Sequence, residues 1–252
     1  MVTASAARRL RDQQAAVVTL ATEELAAFWA SLDVSRGAVA AEALRVFVPS
    51  LTTQYGQVSA LLSVDWYDAE RVAAGVRDEF RAVMGDPVDP EYVRRNVDYA
   101  SRHLFTATPG VALEFLTGAV QKHVLQPGRD SVTESVRADP RARGWQRFAR
   151  SGGCDFCVML AQRGAVYRTE RTASFAAHYH CGCVAGPSWD PDAPEVEPMA
   201  YRASQRTGAL RWRAARGDAS AARQLEEHQA RVRAWIESHR DDLDEYRREA
   251  GF

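Results

Sequence analysis

The sequence predicts a mainly α chain: a helical N-terminal bundle, then a small α+β segment held by a zinc ion, then a helical C-terminal tail. Three observations carry that expectation. Apolar residues recur at helical spacing over most of the first 140 positions. All four cysteines fall between positions 154 and 183, in two tight pairs. The chain beyond position 201 returns to helical spacing, now with charge in excess over apolar residues. The expected division is 1–142 for the helical region, 143–187 for the cysteine core, 188–200 for a linker and 201–252 for the charged tail.

Taken in order, residues 5–32 read as an amphipathic helix, with Val17, Leu20, Leu25, Phe28 and Leu32 as its apolar stripe. "DVSRG" breaks it, and "AVAAEALRVFV" begins a second helix, which Pro49 is expected to bend or restart. A long helical stretch follows through "LTTQYGQVSALLSVDWYDAERVAAGV". In "DPEYVRRNVDYASRHLF", Asp89 is a candidate N-cap with Pro90 in the first helical position, and Thr108 with Pro109 repeats the device. Pro127–Gly128 predicts the end of that helix, with a short one after it from Ser131 to Arg137. Near position 143 the character changes. "DFCVMLAQRG" predicts a short helix closed by Gly164, while "AVYR" and "HCGCVAG" predict short extended pieces. "PSWDPDAPEVEP" reads as an exposed linker. In the tail, Leu225, His228, Val232 and Ile236 form a thin stripe on what reads as a solvated helix.

Composition bounds the function. The chain has 252 residues, 46% hydrophobic and 26% charged, enough to bury a core, and its net charge of −1 argues against a protein that coats nucleic acid through overall basicity. Lys122 is the only lysine, an arginine bias that, with abundant alanine, points to a GC-rich coding sequence. The N-terminal stretch lacks the continuous apolar core of a signal peptide, and no later run reaches membrane-spanning length. Synthesis and retention in a reducing cytoplasm are expected, where clustered cysteines serve as ligands more often than as disulfides.

The pairs "CDFC" and "HYHCGC" supply six donors for a tetrahedral zinc: Cys154, Cys157, His178, His180, Cys181 and Cys183. A C-x2-C at a helix start lets two thiolates converge, and a second pair from a turn or strand completes the site. Residue types alone leave open which two of the second group bind, with His178 and Cys183 the favoured pair. A thioredoxin-type redox pair would need neither the second pair nor a site outside a βαβ unit, and no βαβ pattern is present. A structural zinc fits better than a catalytic one. Asp155 sits between two ligands, Glu170 lies among arginines, and there is no H-E-x-x-H helix. Cys154 or Cys157 with either histidine, or Ser151 or Ser174 with either, would make a nucleophile–base pair, but no G-x-S-x-G elbow supports one. Arg141, Arg143, Arg147, Arg150, Arg163, Arg168 and Arg171 surround the motif and could face DNA as in a zinc ribbon, or balance thiolate charge.

"GWQRFARSGGCDFCVMLAQRGAVY" followed by "AHYHCGCVAGP" resembles the core of the phage Mu F-like minor head, or head-morphogenesis, proteins. That family's C-x2-C falls on Cys154 and Cys157, its histidine on His178, and its closing C-x-C on Cys181 and Cys183, with His180 where many members carry a small polar residue. The strong likeness covers residues 143–187. A weaker one covers "YGQVSALLSVDWYDAERVAAG", similar to relatives from phages of actinobacteria. The resemblance implies a minor capsid protein in few copies beside the portal, assisting assembly and genome packaging or ejection. Implied partners are the portal, scaffold and major capsid proteins and packaged DNA, with no membrane and no small-molecule substrate. The implied location is the host cytoplasm during assembly, then the head interior near the portal. Similar proteins are often labelled capsid maturation proteases, which makes cleavage of scaffold or capsid protein the alternative.

Overall fold

The computed structural model describes residues 2–150, 152, 155–162, 165, 175, 177, 179–192, 210 and 213–249. Helix α1 spans Ala4–Ser31, where the Thr3 hydroxyl caps the first turn by accepting from the Ala6 amide at 3.1 Å. Its inward face is Leu10, Gln14, Val17, Ala21 and Leu25, a three–four spacing that buries one stripe. Leu20, expected on that stripe, is 55% exposed.

Helix α2, Gly37–Ala73, runs without interruption through Pro49. A proline inside a helix removes one hydrogen bond and costs about 3 kcal/mol. Here Pro49 is itself buried among Val48, Leu51 and Thr52, so tertiary packing carries the helix past the expected break. Helix α3, Pro90–Ser101, begins as predicted: the Asp89 carboxylate accepts from the Glu91 amide at 2.8 Å. A short 3-10 turn, Arg102–Phe105, follows it.

Helix α4, Gly110–Ala138, departs twice from expectation. It starts one residue later, with Pro109 rather than Thr108 at the cap position and no side-chain cap. It also continues through Pro127–Gly128, absorbing the separate helix expected at 131–137. The reason is packing. A Cβ on Gly128 would lie 2.5 Å from Gln14 Nε2, 2.6 Å from Ser59 Oγ and 2.7 Å from Ser63 Oγ. The glycine is therefore where α4 crosses α1 and α2 at close range, not a terminator. Pro127 fills the space over Gly56, whose added Cβ would meet its ring at 3.1 Å.

Among the described residues, two strands belong to the cysteine region. β1, Gly144–Phe148, pairs antiparallel with β2, Val184–Ser188, Trp145 facing Pro187 and Phe148 facing Val184. Both are buried throughout. Helix α5, Asp155–Gln162, lies between them in sequence. The expected closing Gly164, and Val166–Arg168 of the strand expected in "AVYR", lie outside the described residues, as do positions 193–200 of the expected linker.

In the tail, α6 spans Ala219–Ser238, capped by Asp218 accepting from the Ala221 amide at 2.9 Å, and α7 spans Arg240–Glu249. Most of their surface is wet, as predicted for a solvated helix. Ala221 and Leu243 are nonetheless buried, and Ile236 packs against the core. Leu225 and His228 of the expected stripe are half-buried, and the side chain of Val232 lies outside those described.

Among the described residues, the interior holds two apolar clusters. One joins α1, α2, α3 and α4 through Leu25, Leu44, Val97 and Val120. The other joins Leu10 of α1, Tyr67 of α2 and Val136 of α4 to Trp145, Cys157, Cys181, Cys183 and Leu243. The cysteine region thus shares its core with the helical region across positions 142 and 143. At this junction Asp139 accepts from Arg71 Nε at 2.9 Å, Tyr67 Oη at 3.1 Å and Trp189 Nε1 at 3.0 Å. Among the described residues, no helix is long and apolar enough to cross a membrane.

Candidate metal centre

Cys157 sits in the first turn of α5, and Cys181 and Cys183 lie in the segment that leads into β2. Sequence separation between the two groups is large, but the β1–β2 ladder closes the intervening stretch and brings both groups beneath α4. The three sulfurs lie within 4.8 Å of one another, all buried. Cys157 Sγ and Cys181 Sγ are 3.9 Å apart, far beyond a disulfide bond and within reach of a shared proton.

Arg129 of α4 fixes the C-x-C segment. It is wholly buried, and its Nε donates to the Cys183 carbonyl at 3.1 Å while an Nη donates to the Cys181 carbonyl. Arg129 makes no ion pair with a carboxylate among the described residues. Burial pushes its guanidinium below the ordinary arginine range, and the neighbouring thiols of Cys181 and Cys183 oppose that shift. A second buried cation, Arg147, has its guanidinium 3.7 Å from the centre of the Phe175 ring, and Arg129 lies 5.0 Å from the same ring.

Hydrogen bonding from Cys157 and Cys183, with the charge of Arg129, holds the Cys181 thiol far below the usual thiol range. Cys183 moves the other way. Its hydrogen bond with Cys157 draws it down, but the bond to Cys181, burial and the charge on Cys181 outweigh it. Soft, buried, closely spaced thiolates are the donor chemistry of zinc. With Zn–S near 2.3 Å, a tetrahedron has sulfur–sulfur edges of about 3.8 Å. The observed 3.9 Å fits that edge.

His180 is not part of this cluster. It adopts a left-handed backbone with φ 62°, is exposed, and lays its ring on α4 at Gly118, where an added Cβ would meet Nε2 at 2.8 Å. Its neighbour Tyr179 donates to Asn96 Oδ1 at 2.6 Å, so the segment is strapped to α3 and α4 just before the thiols. Cys154 and His178 lie outside the described residues, as do Ser151, Ser174 and Glu170. The three described thiols are at most 2% exposed, which does not suit attack on a polypeptide.

The surrounding arginines divide. Arg147 is buried, Arg141 pairs with Asp78 at 2.8 Å, and Arg143 and Arg150 are exposed. Arg163, Arg168 and Arg171 lie outside the described residues.

The family model described as VG15 protein matches residues 1–208. The chain belongs to this family. The VG15 match makes it a phage protein, and it spans the helical region and both cysteine pairs while ending before α6. No curated protein and no solved structure matches the chain.

Sequence reasoning missed Arg129. A signal was present: Leu125, Arg129, Val132 and Val136 follow the three–four spacing of the buried α4 face, so an arginine stands at an apolar position. A charge at such a position calls for a partner, and here the partner is the cysteine segment.

Proposed function

We propose that this VG15 protein is a minor capsid protein of the Mu F-like, head-morphogenesis type, with a structural zinc ion fastening its cysteine segment to the helical region. Cys157, Cys181 and Cys183 supply three ligands, and the C-x2-C spacing supplies Cys154 as the fourth. Bound zinc would cross-link α5 to the lead-in of β2. The chain's own residues do the rest. Arg129 orients the C-x-C carbonyls, and Arg129 and Arg147 set two buried positive charges against the net negative charge of a four-thiolate zinc site. That balance favours Cys154 over a neutral histidine as the fourth ligand.

The observation that carries the zinc reading is the convergence of three buried thiols within 4.8 Å, one pair of them 3.9 Å apart. The head-assembly reading rests on VG15 family membership together with the C-x2-C and H-x2-C-x-C signature. In it the partners are the portal, scaffold and major capsid proteins and packaged DNA. The protein acts in the host cytoplasm during assembly and then inside the head near the portal. Metal analysis of the purified full-length protein should find about one zinc per chain, lost in Cys181→Ser and in Cys154→Ser but kept in His180→Ala. Co-expression with portal protein should yield a complex. Metal-free protein with the wild-type fold refutes the zinc site, and failure to associate with portal or procapsid refutes the head role.

A further inference from the structure

One face of α3, continued into the first residue of the 3-10 turn, alternates aromatic rings and cations. Tyr92, Arg95, Tyr99 and Arg102 stand at positions i, i+3, i+7 and i+10, which places all four on a single stripe. The sequence is a doubled Tyr-x2-Arg, its two copies one heptad apart and about 10 Å apart along the axis. Each arginine lies over its own tyrosine, Arg95 at 5.4 Å from the Tyr92 ring centre and Arg102 at 5.4 Å from that of Tyr99. Lys122 on α4 extends the stripe, 5.8 Å from the Tyr92 ring and 5.7 Å from that of Tyr179.

Two properties separate this face from an ordinary solvated one. Arg95, Arg102 and Lys122 make no ion pair among the described residues, whereas Arg94 and Arg45 next to them are paired with Glu91 and Asp98. The carboxylates of α3 are thus engaged by other cations and leave the stripe's three cations uncompensated. The rings are also unusually open: Tyr92 is 40% exposed and Tyr99 49%.

We propose that this face binds a single-stranded polynucleotide. Uncompensated cations along a line suit a phosphate backbone, and exposed tyrosines between them offer stacking surfaces to unpaired bases. A duplex hides its base faces and would use the cations alone. The chain's exposed valines at 39, 46 and 72 lie on α2, off this stripe. The inference is independent of the zinc reading and uses none of the arginines around the cysteine motif.

The test is fluorescence anisotropy of full-length protein with labelled dT15, rU15 and a duplex of equal length, over a salt series. Single strands should bind more tightly than duplex. With three phosphate contacts, the log–log salt slope should be near −2. Arg95→Gln with Arg102→Gln should bring that slope close to −0.7. Tyr99→Ala should weaken dT15 about 5-fold or more while leaving the duplex unchanged. Tyr99 packs on Phe115, so thermal melting must show that this variant folds, and the arginine pair gives an independent result if it does not. Equal binding of dT15 and rU15 fits the shared chemistry, and a preference identifies the strand. Absence of single-strand binding at low salt, duplex binding as tight as single-strand binding, or binding unaffected by the arginine substitutions overturns the proposal. Anionic vesicles that compete away dT15 through the same residues would point to a membrane surface and overturn it as well.

Discussion

Arg129→Met removes a charge and two hydrogen bonds while keeping most of the side chain's volume. In the structure, the wholly buried guanidinium donates to the carbonyls of Cys181 and Cys183. Hydrogen bonds from a charged donor contribute about 1.5–3 kcal/mol each, and the two carbonyls would be left without these donors in a dry setting. Removing a buried cation also relieves its desolvation, which offsets part of the loss. The expected net destabilisation is about 3–5 kcal/mol, a large share of a domain stability of about 5–15 kcal/mol. Urea unfolding followed by circular dichroism, at saturating zinc and after chelation, measures it. Because the guanidinium also lies beside Cys181 and Cys183, the proposed zinc site predicts a greater loss with zinc bound and weaker zinc binding in chelator competition. Arg129→Lys keeps the charge but not the fork, and should fall between the two. A loss under about 1 kcal/mol with unchanged zinc affinity would refute this account of Arg129.

Gly128→Ala should destabilise by about 1–3 kcal/mol in urea, since its Cβ meets three side-chain atoms of α1 and α2 at 2.7 Å or less. His123 is buried against the Tyr92 ring, and burial, then the Lys122 charge, lowers its pKa to about 4. The unfolded state therefore binds the extra proton first. Stability from the neutral ring is fully present above pH 6.5 and declines by about 3 kcal/mol as pH falls toward 4, a loss that His123→Gln should abolish in unfolding curves at successive pH values. For Asp139, burial opposes ionisation, but hydrogen bonds from Arg71, Trp189, the Arg141 amide and Tyr67 hold the carboxyl below its ordinary value. Its contribution is present above the ordinary aspartate range and lost as pH falls through the lower folded value. Asp139→Asn should cost about 3–5 kcal/mol at neutral pH, and the gap to wild type should narrow in acid.

Local signals were read well where local chemistry decides. The Asp89–Pro90 start of α3 and the extent of α1 follow from capping and periodicity, which neighbours in sequence determine. Pro49 and Pro127–Gly128 misled because their roles are tertiary. Nothing within five residues of Gly128 tells that Gln14, Ser59 and Ser63 press against its Cα. The convergence of "CDFC" and "HYHCGC" was legible in part, because thiol pairs at metal spacing are rare without a common centre. His180, a donor adjacent to Cys181 in sequence, has a left-handed backbone and lays its ring on α4 at Gly118, a placement that adjacency in sequence does not reveal. Arg71, Tyr67 and Trp189 around Asp139 were invisible, since that cluster joins residues 50 or more positions apart.

The β1–β2 pairing has a consequence for how the chain tolerates change in length. With Phe148 fixed opposite Val184, the ladder holds the two ends of the segment that carries the cysteines. A single residue inserted between Cys183 and Val184 would disturb that closure. It would either slide β2 by one position, turning its side chains to the opposite face, or pull the C-x-C pair away from Arg129. An insertion at that point should therefore be disruptive, a limit set by one strand's register.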